Sequence, residues 1–464
     1  MLKQILTLLL ALLLTVGCLA GCGKTPEPTT PTTPSAPSTP TEGTEGTQPT
    51  EGEQSAEVID YAAQVKLNEN SGTAQQKVTV KMYIDGDTTH FYVPSSVMPG
   101  GVLKGRYLAV NTPESTGKIE EYGKKASAFT KEKLSEATSI ILESETAAWE
   151  ADSTGDRYLV WVWYKTAESE DYRNLNIELL QNGLAIASSS ANNQYGDVCM
   201  AAINQAKKQK LNVHSGQKDP DFFYGEAVEL TLKELRSNVE KYDGMKVAFN
   251  GVVTVNDSNS VYVEDYDAET DMYYGMSVYY GYNLNGKGLE ILNVGNEVRI
   301  VGSVQYYEAG GTYQVSDLNY RLMKPNDPGN IQKISEGNKP AFVVTDADKF
   351  LNGKVNIVND EGEGITANYA AMAMSTSIQM NGLKVVDSYT TTDEESSSKG
   401  AFTLTCKVGN HTVDVRTTVL VGKDGKLVTA DTYEGKTINV KGIVDYYNGT
   451  YQIKVFSADN IQIQ

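Results

Sequence analysis

Two arginines and one glutamate in the first part of the chain could together hydrolyse a phosphodiester. Arg106 and Arg157 could each place two N–H donors on the oxygens of one phosphate, a geometry that lysine cannot reproduce. Glu114 could orient or deprotonate an attacking water. The acidic turn Asp85-Gly86-Asp87-Thr88 could hold a hard cation. These residue types predict chemistry on an anionic ester, whose charge must be neutralised before a nucleophile can approach.

Each of these residues also has an ordinary structural explanation when it is taken alone. Most arginines lie in surface ion pairs, and Thr112-Pro113-Glu114 is typical of the first turn of a helix. Asp-Gly-Asp is a common turn sequence. The catalytic interpretation therefore requires that the fold bring these side chains together.

The segment that must position them, residues 75–216, is predicted to be a short β-barrel carrying helices. The alternation and β-branching of its apolar residues predict strands, and longer periodic runs predict helices. The predicted strands are Val78–Ile84, Phe91–Val93, Arg106–Val110 and Tyr158–Tyr164, and the predicted helices are Ala126–Ala137, Leu175–Asn182 and Ala201–Lys210.

This segment resembles the staphylococcal nuclease (thermonuclease) family over nearly its full length. The residues that carry the resemblance form blocks in the family's order and spacing. The blocks are Ile84–Thr88, Arg106–Glu114, Glu121–Gly123 with Ala126–Lys131, Asp156–Arg157, Asn182–Ala185, and Ala206–Lys208 with Lys210–Asn212.

The resemblance implies an OB-type barrel and a Ca²⁺-dependent phosphodiesterase whose substrates are DNA and RNA. It assigns catalysis to three residues, Arg106, Glu114 and Arg157, with Glu114 activating the water. The Ca²⁺ ligands that it implies are Asp87, Asn111, Thr112 through its carbonyl, and Glu114.

The chain departs from the family pattern at the cation and at the substrate. Asn111 stands where the family has an aspartate, which removes one negative charge and predicts weaker Ca²⁺ binding. Thr154–Asp156 and Ser188–Ser190 replace tyrosine-containing family segments, so base stacking is expected to be weaker. Tyr195 could replace one of the missing tyrosines.

The N-terminus has the pattern of a bacterial lipoprotein. Residues 1–21 read as a signal peptide that ends at Cys22, the predicted lipidation site, although an ordinary secretory signal remains the alternative. Residues 22–74, rich in Thr, Pro and Glu at their start, predict a disordered tether. The expected location is the outer face of the cytoplasmic membrane, held there by the lipid anchor.

The second half of the chain contains an internal repeat. Val294–Tyr307 with Gly311–Val315 recurs as Glu434–Tyr447 with Gly449–Ile453, and Gly244–Val247 echoes Gly382–Val385. We interpret residues 222–325 and 340–464 as two all-β OB-like domains joined by a linker at 326–339. The predicted fold class is therefore mainly β with α, an OB-type nuclease barrel followed by two OB-like barrels.

Charge favours the first domain as the part that meets nucleic acid. The chain carries a formal net charge of −19, which opposes a general phosphate-binding surface. Two functions remain open. One is a surface-anchored, Ca²⁺-dependent nuclease, and the other is a catalytically impaired lipoprotein that binds nucleic acid or protein. The partners of the OB-like domains are not indicated by the sequence.

Overall fold

The computed structural model describes residues 58–464, apart from 170, 282, 283, 285, 309, 394 and 395. The predicted signal peptide, Cys22 and the first part of the predicted tether lie outside the described residues. Within these residues, no helix combines the length and the apolarity that a membrane crossing requires.

The first domain is a five-stranded barrel with helices packed on it. Its strands are β1 (Gln75–Asp85), β2 (Thr88–Tyr92), β3 (Val102–Tyr107), β4 (Val110–Asn111), β5 (Ser139–Glu143), β6 (Tyr158–Lys165), β7 (Arg173–Asn174) and β8 (Ile186–Ala187). Its helices are α1 (Tyr61–Gln64), α2 (Gly123–Ser135), α3 (Leu175–Gln181) and α4 (Gly196–Gln209).

The barrel closes where β3 and β6 run parallel, and the remaining neighbours in the order β3-β2-β1-β5-β6 are antiparallel. Its core is a separate hydrophobic cluster that includes Leu103, Leu142, Trp161 and Trp163, all fully buried. Strand β6 contributes most because both of its faces are covered over Val160–Tyr164. The predicted OB-type barrel with helices is confirmed.

Residues 58–74 are ordered, which corrects the prediction that the tether extends to residue 74. Asp60 caps α1 and pairs with Arg173 at 2.9 Å, while Gln181 accepts from the Ala62 amide at 3.0 Å. Ala62 and Val65 are buried in the core of the first barrel. These contacts depend on distant residues, so the local composition did not reveal them.

Two further barrels follow. The second contains β9 (Val228–Glu229), α5 (Leu232–Ser237), β10 (Lys246–Asp257), β11 (Ser260–Asp267), β12 (Met272–Tyr279), α6 (Lys287–Ile291), β13 (Glu297–Tyr307), β14 (Thr312–Ser316) and β15 (Gln332–Ser335). The third contains β16 (Val343–Val344), α7 (Ala347–Asn352), β17 (Lys354–Val358), β18 (Gly364–Asn368), α8 (Tyr369–Met372), β19 (Ser377–Thr390), β20 (Phe402–Val408), β21 (His411–Thr417), β22 (Thr437–Tyr447), β23 (Thr450–Val455) and β24 (Ile461–Ile463).

All three barrels share one connectivity. In the second barrel β10 pairs with β13 and β12 runs parallel to β14, and in the third β19 pairs with β22 and β21 runs parallel to β23. The first barrel has the equivalent pairings, since β1 pairs with β5 and β3 runs parallel to β6. The second and third barrels also share a single hydrophobic cluster, whereas the first barrel has its own.

The strand registers show which repeated residues are equivalent. Val247 lies opposite Gly302 in the second barrel, and Ile378 lies opposite Gly442 in the third. Val247 therefore corresponds to Ile378 and not to Val385. The echo of Gly244–Val247 in Gly382–Val385 is not a structural equivalence, whereas the later repeat, which ends in β13–β14 and β22–β23, is one.

The predicted linker at 326–339 contains a strand of the second barrel. Strand β15 pairs with the free edge of β13, as β24 pairs with β22 in the third barrel. The turn 325–329 thus lies inside the second module, because the chain returns after it to satisfy the backbone groups of a sheet edge. The residues between β15 and β16, 336–342, form the actual connection.

The glycine that β13 and β22 share, Gly302 in the second barrel and Gly442 in the third, is required by a close backbone approach. A Cβ at Gly302 would lie 2.4 Å from the Ser316 carbonyl oxygen, and one at Gly442 would lie 2.5 Å from that of Lys454. We expect Gly302→Ala and Gly442→Ala each to cost roughly 1–3 kcal/mol of stability through overpacking, measured by thermal or urea unfolding.

Gly364 provides the control for this prediction, since a Cβ there meets nothing within 4 Å. Gly364→Ala should change the stability by less than about 0.5 kcal/mol. Equal effects at Gly302, Gly442 and Gly364 would contradict the steric explanation.

Candidate active site

Arg106 lies on β3, directly opposite Thr88 on β2. Asp87 precedes Thr88 and ends the tight turn between β1 and β2, so it reaches the same place. Gly86 is needed in this turn, because a Cβ there would lie 2.9 Å from side-chain atoms of Thr112 and Ala126. The turn and the strand together position Asp87 beside Arg106.

The guanidinium of Arg106 bridges two of the residues predicted to bind a cation. Its Nη1 pairs with Asp87 Oδ1, and its Nη2 donates to Asn111 Oδ1 at 2.6 Å. The side chain of Arg106 is only 18% exposed. Burial and the nearby positive charge of Arg157 lower the pKa of Arg106, and the charges of Glu114 and Asp85 oppose this.

Arg157 lies immediately before β6, next to the point where β6 runs alongside β3. Tyr158 is the partner of Gly105, so Arg157 and Arg106 approach one another from neighbouring strands. Nε and Nη2 of Arg157 both bind Asp152 Oδ2 at 2.7 Å. The side chain of Arg157 remains 35% exposed and can reach a ligand.

Asp152 is a site residue that the sequence did not indicate. It is held by the hydroxyl and amide of Thr154, at 2.5 and 3.0 Å, across the turn that precedes Arg157. Burial raises the pKa of Asp152, but the hydrogen bonds from Thr154 and Arg157 outweigh it and lower the pKa overall. An aspartate five residues before a functional arginine, across a Gly-containing turn, was the available signal.

Glu114 lies in the loop between β4 and α2, with its carboxyl group against Asp85. Its pKa is raised to about 7, first by burial and then by the hydrogen bond and negative charge of Asp85, while Arg106 opposes the shift. A carboxyl group beside another one holds its proton to higher pH because two negative charges in contact repel each other. The structure thus brings Glu114 and Arg106 together, as the interpretation of the sequence required.

Asp85 is a second residue whose position the sequence left open. It is buried at the end of β1 and accepts the hydroxyl of Ser115 at 2.8 Å and the Ser115 amide at 3.3 Å. It also accepts the amide of Gly86 at 2.7 Å. Asp85 therefore fixes the chain next to Glu114 as well as modulating its proton affinity.

Carboxyl groups gather around Arg106, and carboxylate oxygens are ligands that a hard divalent cation prefers. Asp85, Asp87 and Glu114 bring three carboxyl groups against one guanidinium, that of Arg106, so negative charge is in excess when all are ionised. The Thr112 amide donates to Asp87 Oδ2 at 2.8 Å, while the Thr112 hydroxyl is buried without a hydrogen-bond partner. Within the described residues, no cluster of three or more His, Cys, Asp or Glu side chains is already arranged around a metal position.

The segments that replace the family's tyrosines take structural roles. Ser190 is buried and donates to the Ala109 carbonyl at 2.5 Å, which ties this turn to the strand region that carries Arg106. Tyr195 packs edge-on against Trp161 and Trp163 and donates to Glu143 at 3.0 Å. Tyr195 is therefore partly buried against the core of the first barrel, and its ring and hydroxyl already have partners there.

Ionisation of Glu114 should destabilise the folded chain when no divalent cation is present. Its pKa rises from 4.5 to about 7 on folding, so the folded state holds more protons in this window and the free energy of unfolding falls as the pH rises through it. Glu114→Gln cannot ionise. We expect its Tm relative to the wild type to rise between about pH 5 and 8 in chelator, measured by thermal melts.

Glu132→Gln is the matched control, because Glu132 is a glutamate of the same domain whose side chain is 56% exposed. Its Tm should follow the wild type at every pH. A Glu114→Gln curve that also runs parallel to the wild type would show that burial and Asp85 do not raise the pKa of Glu114 in the folded chain.

A comparison with known protein families agrees with this geometry. The family model described as staphylococcal nuclease homologue matches residues 104–215. The match includes Arg106, Glu114 and Arg157 but begins after Asp85 and Asp87, which reach the site through β1 and β2. The family suggests nuclease activity in general, and the recognition made from the sequence is confirmed. Residues 104–215 belong to a domain of the staphylococcal nuclease family.

Proposed function

We propose that this protein is a Ca²⁺-assisted nuclease that hydrolyses phosphodiester bonds of DNA and RNA. The observation that carries the proposal is the approach of Arg106 and Arg157 from the neighbouring strands β3 and β6, with the carboxyl group of Glu114 close enough to interact with Arg106. Two guanidinium groups can neutralise the charge of the phosphate, and one carboxylate can activate a water for attack on the phosphorus.

The two arginines that would neutralise the phosphate differ in their exposure and in their present partners. Arg157 is partly exposed and is held by Asp152 in a fixed orientation, so it can bind an incoming phosphate without leaving its partner. Arg106 is more deeply buried and bonded to Asp87 and Asn111. Contacts from guanidinium groups strengthen as negative charge builds on the phosphate oxygens in the transition state.

Glu114 acts on the attacking water. Its pKa near 7 places the proton affinity of this carboxylate in the range in which a general base works at neutral pH. Burial and the neighbouring Asp85 raise that affinity and Arg106 lowers it, and together they set the pH at which Glu114 can accept a proton.

Asp87, Asn111, Glu114 and the Thr112 carbonyl are the residues that would hold Ca²⁺. A bound Ca²⁺ supplies positive charge that stabilises the negative phosphate oxygens in the transition state. In the structure, Arg106 forms an ion pair with Asp87 and donates a hydrogen bond to Asn111. We propose that Arg106 gives up these partners to reach the phosphate, so that cation binding and phosphate binding by Arg106 favour one another.

We further propose that the enzyme acts at the outer face of the cytoplasmic membrane. The support is the sequence pattern of residues 1–21, which ends at Cys22 as the acceptor of a lipid anchor. A tethered nuclease would act on nucleic acid outside the cell.

The rival function is a catalytically impaired binding lipoprotein. Asn111, the acidic second half of the chain and the structural role of Tyr195 favour it. The retained Arg106, Glu114 and Arg157, brought to one side of the barrel, favour the enzyme, since binding alone does not require a base beside two arginines.

Digestion of denatured DNA and of RNA tests the proposal. Wild-type protein should cleave both with Ca²⁺ and neither with a chelator. Glu114→Gln should lower kcat roughly 10²–10⁴-fold, and Arg106→Lys or Arg157→Lys roughly 10²–10³-fold, because each removes a group needed in the transition state. Product formation is followed on denaturing gels.

Arg321→Lys is the control for the arginine variants, because Arg321 is a 60% exposed arginine of the second barrel. Its activity should equal that of the wild type. Retention of DNA on a native gel without cleavage, under saturating Ca²⁺, would instead support the binding lipoprotein.

Asn111→Asp should make the site bind Ca²⁺ more tightly. The added carboxylate increases the negative charge of the ligand set, so we expect the Ca²⁺ concentration at half-maximal activity to fall about tenfold. Calcium titrations of activity and of thermal stability measure this. An unchanged Ca²⁺ dependence in this variant would remove residue 111 from the cation site.

A further inference from the structure

The second barrel touches the chain next to Glu114. The side chain of Gln305, on β13, donates through Nε2 to the backbone carbonyl of Ser115. Gln305 is buried, and its Oε1 accepts the hydroxyl of Ser316 at 3.0 Å. Ser316 is itself fully buried on β14. The hydroxyl of Ser316 thus orients the amide of Gln305, so that the NH₂ end faces the first domain.

Ser115 is held from both sides. Its amide and hydroxyl donate to Asp85 at 3.3 and 2.8 Å, and its carbonyl accepts from Gln305. Asp85 is the same residue that raises the pKa of Glu114. The residue next to Glu114 is therefore held by Asp85 of the first barrel and by Gln305 of the second.

The rest of the loop that carries Glu114 is held by hydrogen bonds within the loop and by one to the connection that leads to the second barrel. The Glu120 amide donates to the Glu114 carbonyl at 2.9 Å, and the Glu114 amide donates to Glu120 Oε2 at 3.2 Å. At the end of the loop Tyr122 has a positive φ of 65°, and its amide donates to Asp219 at 2.6 Å. Asp219 lies in the connection to the second barrel.

Two ion pairs also join the first and second barrels. Lys124 pairs with Asp243 at 2.6 Å, and Lys131 pairs with Glu308. The two barrels belong to different hydrophobic clusters. Exposed ion pairs contribute little to stability. Of these polar contacts, the hydrogen bond of the buried Gln305 amide is therefore the one whose loss should cost the most free energy.

The third barrel shows that this contact is particular to the second. At the position equivalent to Gln305 the repeat has Asp445, which accepts from Gln452 of the next strand at 2.6 Å. An aspartate cannot donate to a carbonyl unless it is protonated. The donor at this position is therefore not a requirement of the repeated fold.

We propose that Gln305 is a positioning residue for the nuclease reaction, through which the second barrel fixes the loop that carries Glu114. Gln305 does not touch the reacting atoms. It holds the Ser115 carbonyl, and the loop in turn holds Glu114 at the distance from Arg106 and Asp85 that water activation requires. The inference rests on the proposed function, and it assigns the second barrel a role in catalysis and not in substrate binding.

Gln305→Met in the full chain tests the proposal, because methionine has nearly the same length but cannot donate to Ser115. Amide hydrogen exchange of residues 114–121, followed by mass spectrometry, should become at least severalfold faster, while exchange in β5 and β6 stays unchanged. With Ca²⁺ and saturating DNA, kcat should fall about tenfold to a hundredfold, with KM little altered. Ser316→Ala, which only releases the orientation of the amide, should give a smaller change in the same direction.

Asp445→Asn is the matched control, since it alters the equivalent position of the third barrel and should change neither measurement. Unchanged loop exchange or unchanged kcat in Gln305→Met would overturn the proposal. If Gln305→Met does not fold, Ser316→Ala decides by the same two criteria. A wild-type protein that cleaves no nucleic acid would refute the nuclease and with it the catalytic role of Gln305, even if loop exchange confirmed the contact itself.

Discussion

The site is governed by how a small group of buried charges is balanced. Asp85, Asp87 and Glu114 place three carboxyl groups near one buried guanidinium, that of Arg106. Two of these groups are satisfied in different ways: Asp87 pairs with Arg106, and burial together with the neighbouring Asp85 raises the pKa of Glu114 to about 7. A buried charge that loses its partner is costly, so any change at one of these residues has to be compensated at another.

This balance connects the proposed cation and substrate sites. In the proposed mechanism, Arg106 turns to a phosphate once another group satisfies Asp87 and Asn111, and Glu114 accepts a proton from water once it has lost its own. Both conditions are met by adding positive charge at the same place. Phosphate binding, base activation and cation binding are in this view one coupled event. Arg157 has its own partner in Asp152 and acts on this group through the effect of its positive charge on Arg106.

The sequence predicted elements best where the signals were local. The helix predicted at Leu175–Asn182 is observed at Leu175–Gln181, because Asn174 caps its start and Gly183 adopts a positive φ of 62° just after its end. Arg106 lies in a predicted strand and Arg157 directly before another, and both strands are observed. The contacts of Asp152, Asp85 and Gln305 could not be predicted, since each joins residues whose pairing depends on the turn or the barrel packing. The ordered segment 58–74 was missed for the same reason.

The most direct test of the coupled site is a crystal structure of the full chain with Ca²⁺ and a short, cleavage-resistant phosphorothioate DNA. The account predicts one phosphate bound by both Arg106 and Arg157, with Arg106 released from Asp87 and Glu114 facing a water beside the phosphorus. A phosphate bound on another face of the barrel, with Arg106 still paired to Asp87, would contradict it.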